Sequence, residues 1–128
     1  MKKIAPVVLR AGMALVILWF GIQQLSSPAL WTGYLPAWTA SLPLSAVTFV
    51  LLNGWVECTL GILLAAGFYT RWVALLLSLH LYSITFTLGY GAIGVRDFGL
   101  ATALLSLFFH GADSLSMDAY FSKREVQQ

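Results

Sequence analysis

Apolar residues run through this chain in four long blocks, separated by short polar or proline-rich punctuation. The clearest block is Leu44 to Phe68. About 20 apolar residues cross the hydrocarbon core of a bilayer as a helix. A soluble helix of that length carries a broad polar face, whereas here only Asn53, Glu57 and a few small residues interrupt the run. The pattern therefore predicts a transmembrane helix with one carboxyl group near its middle. Pro6 to Leu25 reads as an earlier span, with Pro6 in the first turn, where its missing N–H is not needed, and Ser26-Ser27-Pro28 as its stop. The apolar run from Ile4 to Leu25 is longer than a secretory signal core. Trp72 to Tyr90 and Phe98 to Ala112 are the third and fourth spans. The fourth is short, roughly 22 Å at the helical rise. It needs Arg96-Asp97 at its start or a thinner bilayer, and Asp97 is placed to act as its N-cap.

The spacing also predicts which faces meet. Asn53, Glu57 and Gly61 share a face of the second span. Gly54 and Gly61 permit close approach of a neighbouring helix. Gly12, Trp19 and Gln23 fall near one face of the first span. Trp72, Leu76, His80, Ser83 and Thr87 share a face of the third, where Ser83 and Thr87 can bond their own helix carbonyls. Gly99, Thr102, Ser106 and His110 form a small and polar stripe on the fourth, expected on its inner side.

The longest connection, residues 26–43, is uncharged and holds Pro28, Pro36 and Pro43, which forbid one continuous helix. Trp31, Tyr34 and Trp38 lie between them. They read either as an aromatic belt at the headgroup level or as a lid over a ligand site between the helices. Gly67 to Arg71 reads as a tight turn, Gly89 to Gly94 as a flexible connection, and the tail from Gly111 as a partly flexible segment outside the bilayer.

Composition and charge sharpen this picture. Hydrophobic residues make up 59% of the 128-residue chain and charged residues 9%, against about 25% charged in a soluble domain. The chain is an integral membrane protein, read as one domain. A net charge of +2 gives no reason to expect nucleic acid as a partner. Cys58 is the single cysteine, which excludes an internal disulfide, a C-x-x-C pair and a cysteine-rich cluster. It reads as a small buried side chain. Lys2, Lys3, Arg10, Arg71, Lys123 and Arg124 fall on one side of a four-span topology, and Arg96 alone on the other. The bias of basic residues towards the inside places both termini in the cytoplasm.

The candidate chemistry centres on Glu57. A charge at that depth costs about 2.5–3.5 kcal/mol on insertion scales, so it is expected to face protein and to have a partner. Counted along the helices, Glu57 and His80 lie roughly 14–16 Å from the cytoplasmic ends, with Arg10 shallower but long. The expectation is a buried cluster of Glu57 with Arg10, His80 or both. It serves either as a structural ion pair or as a proton-handling or ligand-anchoring group beside a quinone-like or other lipophilic substrate. His80 and His110 differ too much in depth to clasp a haem. Glu57 and His80 are two ligands, which do not make a metal site, so no metal is assigned. No catalytic triad, phosphate loop or dinucleotide fingerprint is present.

Several motifs stand in a suggestive order: Leu9-Arg10-Ala-Gly12, Trp19-Phe-Gly21-Ile-Gln-Gln24-Leu25, Glu57 with Gly61, Gly67-Phe-Tyr-Thr-Arg71, Arg96-Asp97, and Gly111-Ala-Asp-Ser-Leu-Ser-Met-Asp118. Together they resemble the DoxX family of small four-helix bacterial membrane proteins, and are similar to the DoxD-type subunit of thiosulfate:quinone oxidoreductase. The resemblance implies an all-α four-helix bundle in a prokaryotic inner membrane, linked to redox complexes with quinone as acceptor. By position it marks Arg10, Glu57, Arg71, Arg96 and Asp97 as the recurrent polar residues. The family often has lysine where Gln24 stands here, a departure that removes a charge at the outer end of the first span. The resulting expectation is a subunit that docks other membrane or redox partners and shapes a quinone-type site, with Glu57 and Arg10 central and no cofactor of its own. The alternatives are a packing subunit of a respiratory or photosynthetic complex, and a membrane subunit that oxidises a small sulfur anion with quinone.

Overall fold

A computed structural model describes residues 1–89 and 91–128. Four helices are long and apolar enough to cross a membrane: α1 (Ala5–Ser26), α2 (Ala46–Ala66), α3 (Thr70–Leu88) and α4 (Ala92–His110). A fifth, α5 (Met117–Val126), follows them. No strand occurs among the described residues. The chain is an all-α, multi-pass membrane protein that contacts a lipid bilayer.

Local chemistry sets the ends of these helices. Ser45 caps α2, its hydroxyl accepting from the Thr48 N–H at 3.1 Å. Gly67 ends α2 with φ 71°, in the left-handed region open to glycine. Its N–H donates to the Leu64 carbonyl at 3.0 Å, and the next N–H, of Phe68, reaches the Leu63 carbonyl at 2.9 Å. Tyr69 follows at φ 51° and α3 starts at once. The expected tight turn is therefore present. The proline-rich connection forms two 3₁₀ segments, Pro28–Tyr34 and Ala37–Ser41, broken at Pro36.

Within each hairpin the helices pack closely, α1 on α2 and α3 on α4, while the two hairpins touch each other less. Small residues account for the first contact. A Cβ added at Gly21 would stand 2.7 Å from the Cys58 Sγ, and one at Gly61 would stand 2.9 Å from Leu18. A side chain fits at Gly21 only if the backbones of the two helices part, and at Gly61 only if Leu18 gives way. In the second hairpin Ser78 donates to the Ala101 carbonyl at 2.9 Å across an interface of alanines and leucines. The common core joins Ile17, Leu64, Leu77, Leu104 and Leu107. Where the hairpins diverge, at the end carrying the 26–43 connection, a cavity opens.

Four expectations are corrected. The fourth span begins at Ala92 rather than Phe98, so Asp97 lies inside α4 and caps nothing. The glycine that suggested a loop, Gly94, is instead a point of close approach. A Cβ there would collide with the Gly89 carbonyl. The stripe of Gly99, Thr102, Ser106 and His110 faces outward, as do Trp72, Leu76 and Thr87 of α3 and Gly12 and Trp19 of α1, whereas Ser83 lines the cavity beside His80. Asp97, Ala101, Leu104 and Leu107 fill the inner face of α4. Outward hydroxyls are tolerated because they return to backbone: Thr102 donates to Phe98 O at 2.8 Å, Thr87 to Ser83 O at 3.0 Å. The tail is folded rather than loose, since residues 111–118 bind back onto the bundle. Tyr90, the predicted end of the third span, lies outside the described residues.

Candidate ligand site

Besides Asp97, which pairs with Arg96, the buried ionisable side chains form two separate groups, one at the end of the bundle carrying the termini and one about half-way along the helices. At the end carrying the termini, Arg10 points from α1 towards the C-terminus of α2. Its Nη1 donates to the carbonyl oxygens of Leu64 at 3.0 Å and Ala65 at 2.5 Å. These are orphan acceptors of a helix end, where a cation is also favoured by the dipole. Its Nε and Nη2 donate to the Asp113 carboxylate at 2.6 and 3.2 Å. The expected pairing of Arg10 with Glu57 is thus corrected: Arg10 is consumed by Asp113, which the folded tail delivers from far along the chain. Burial pushes the Asp113 carboxyl up, but Arg10, the Leu115 N–H and the charge of His110 together hold it below the usual carboxylate range.

The tail has a second tie. Asp118 accepts from the backbone N–H groups of Tyr69 at 2.7 Å and Thr70 at 2.8 Å, covering the otherwise bare start of α3. Ser116 caps α5 through the Ala119 N–H at 3.2 Å.

Glu57 lies on the inner face of α2 and is 3% exposed. Gln24 of α1 donates to its Oε2 at 2.8 Å. Asn53, one turn back on α2, donates to its Oε1 at 3.1 Å and to the Gln24 Oε1 at 2.6 Å. His80 of α3 places Nε2 3.2 Å from the same Oε1. A carboxylate held this way joins three helices of both hairpins. The partnership of Glu57 with His80 was expected; that with Gln24 and Asn53 was not.

This cluster forms the inner wall of a cavity of about 410 Å³ between the hairpins. Ligand pockets commonly span about 300–1,000 Å³ and combine apolar walls with a few polar groups. Here the walls are mainly Ile17, Phe20, Val50, Leu81, Ile84 and Leu100. Trp31, Tyr34 and Trp38 of the 3₁₀ segments line its outer end. An edge-to-face chain from Phe20 to Trp31, at 5.7 Å, ties that cover to α1. Arg96 and Asp97 also border the cavity, well away from Arg10. Arg96 pairs with Asp97 at 2.9 Å and lies 4.9 Å over the Phe20 ring. His110 stands apart at the other end, beside Gly111.

Residues 5–89 match the family model for DoxX. The chain belongs to the DoxX family. In this DoxX protein the matched stretch contains Gln24, Asn53, Glu57 and His80, together with Arg10. Arg96, Asp97 and the tail aspartates lie beyond it. No curated protein and no solved structure matches the chain significantly.

Two residues of the cluster carry a signal in the sequence beyond the faces named above. Arg10, Ala14, Ile17, Gly21 and Gln24 recur at spacings of four and three and are all buried. That register carries Gln24 inward beside Glu57. Asn53, already on the Glu57 face, is the group that links the two. For Asp113 no periodic signal exists, because it follows the last span on a turn.

Proposed function

We propose that this DoxX protein is a subunit of a redox assembly in a prokaryotic inner membrane, and that its cavity binds a lipophilic, quinone-type ligand. One observation carries this reading. The cavity has apolar walls, an aromatic cover at one end and a hydrogen-bonded carboxyl cluster at the other. A ring with polar edges and a greasy tail meets those demands, and a fully polar metabolite does not. With the bias of basic residues taken as inside, the covered end faces the periplasm and the Arg10–Asp113 end the cytoplasm. The electron-carrying step belongs to partner subunits that the protein docks. The narrower DoxD-like version, oxidation of a sulfur anion with quinone, calls for the same site and the same division of labour.

The test is purification of the full chain in mild detergent, with extraction of bound small molecules and identification of co-purifying proteins by mass. The expected result is a lipophilic ring compound bound to the wild type and lost from Glu57→Gln, with assembly unchanged. Retention of the compound by that variant, or a protein that carries lipids alone, would overturn the ligand reading.

A further inference from the structure

We infer that the chain of a bound lipophilic ligand leaves the cavity sideways, between α1 and α4, and lies in a groove on the lipid-facing surface there. The inference rests on the ligand-site reading above and adds the site that takes the chain.

The helix pairs around the bundle are not joined alike. Gln24 of α1 donates to Glu57 of α2 at 2.8 Å, His80 of α3 stands 3.2 Å from Glu57, and Ser78 of α3 donates to Ala101 of α4 at 2.9 Å. Hydrogen bonds thus cross three of the four neighbouring pairs. Among the described residues no hydrogen bond or salt bridge joins α4 to α1. That seam is held by apolar packing and by Arg96 lying 4.9 Å over the Phe20 ring.

On the outside of the same seam lies a groove bordered by Leu15, Val16, Trp19, Phe20, Arg96 and Leu100. Apart from Arg96 its border is wholly apolar. Phe20, Arg96 and Leu100 also border the cavity, so these three side chains stand between the cavity and lipid. None of them is fully buried. Arg96 is tied to Asp97 at 2.9 Å and makes a fixed post. The Phe20 ring has only aromatic and cation–π contacts, to Trp19, Trp31 and Arg96, and is the part free to turn aside.

Size and depth favour this exit. A cavity of about 410 Å³ is near the lower end for pockets that hold drug-sized ligands. It takes a substituted ring and the start of a chain, and a longer chain has to continue outside. Past the aromatic cover such a chain would meet the headgroup level. The groove instead reaches Leu15 and Val16, half-way along α1, at the depth of the hydrocarbon core. An apolar chain lying there exchanges one apolar surrounding for another.

The test uses the full chain in detergent, with decylubiquinone and with dimethoxymethylbenzoquinone, the same head without its chain. Val16 borders the groove and not the cavity, so Val16→Trp fills the groove and leaves the seat of the ring in place. It should weaken decylubiquinone binding about tenfold, as bulk forced into a packed place does, and change that of the chainless head by less than about twofold. Photolabelling of the wild type decides the matter if that variant does not fold. A decylubiquinone analogue with a diazirine at its chain end should mark Leu15, Val16 or Trp19, and excess decylubiquinone should suppress the marks. Equal weakening of both compounds, weakening of neither, labels confined to the aromatic cover, or groove labels that persist against excess decylubiquinone would each overturn the inference and leave the ligand site standing. Binding of neither compound to the wild type overturns both.

Discussion

The two groups of buried charge differ in one respect that separates structure from chemistry. Arg10 and Asp113 saturate each other. The guanidinium has a carboxylate and two helix-end carbonyls, and the carboxylate has the guanidinium and the Leu115 N–H. Gly67 and Ser116 close around them without space, since a Cβ on Gly67 would meet Ser116 Cβ at 2.5 Å. Glu57 is as deeply buried, yet its cluster borders open volume. Burial of a charge in a membrane protein therefore marks no function by itself. What separates the two groups is the open side of the Glu57 network.

The largest expected effect tests the saturated end. Arg10→Ala would leave Asp113 as a buried, unpaired carboxylate, and breaking such a pair typically costs about 3–5 kcal/mol. Unfolding of the detergent-solubilised protein by denaturant should show it. The double replacement Arg10→Met with Asp113→Leu should recover most of that loss, because an apolar pair of similar volume needs no desolvation. If the single variant is as stable as the wild type, the clasp is not a tie at all. Acid offers a second reading of the same pair. The folded Asp113 carboxyl sits below its ordinary value, so the unfolded chain binds the proton first. Its stabilising contribution is complete above the ordinary aspartate range and disappears as pH falls through the lowered folded value. Asp113→Asn should flatten that acid limb in a pH series of unfolding midpoints.

A smaller effect is expected at the open end. In Glu57→Gln one acceptor oxygen becomes an N–H donor facing Gln24, or facing Asn53 and His80. A buried donor left without an acceptor costs about 1–3 kcal/mol. The loss of bound ligand should exceed what that destabilisation explains. A variant weakened as much as Arg10→Ala but still carrying its ligand would reverse the contrast between the two ends.

Much of this could be read from the chain because length and apolarity alone specify a membrane span. Four spans, the burial of Glu57 inside the second and its proximity to His80 follow from pattern; for Trp31, Tyr34 and Trp38 pattern left a belt and a lid both open. What escaped had three physical causes. In lipid an outward face is as apolar as an inward one, so large residues such as Trp19 and Trp72 gave no sign of facing outward. The polar stripe of α4 misled for the same reason. The Arg10–Asp113 pair escaped because it joins the first span to the tail, and no local period encodes a contact of that separation. Gly94 was misread because a glycine needed for close packing and a glycine needed for a turn look alike in sequence.

The smallest expected effect concerns Asp118, which decides how independent the two ends are. Its carboxylate holds the N–H groups of Tyr69 and Thr70 at the start of α3, and His80 lies further along that same helix. Asp118→Ala removes the cap but keeps the backbone bond from Asp118 N–H to the Gly67 carbonyl at 3.1 Å. Loss of a side-chain cap costs about 0.5–2 kcal/mol, so the unfolding midpoint should fall modestly. Hydrogen exchange should quicken at Tyr69 and Thr70 and stay slow at the Ser78 turn, which is pinned to Ala101 across the hairpin. Bound ligand should be unchanged, because that pin stands between the frayed end and His80. Loss of ligand in a variant whose fold is intact would mean that the tail sets the position of His80 through α3, and that the clasp and the cavity act as one device.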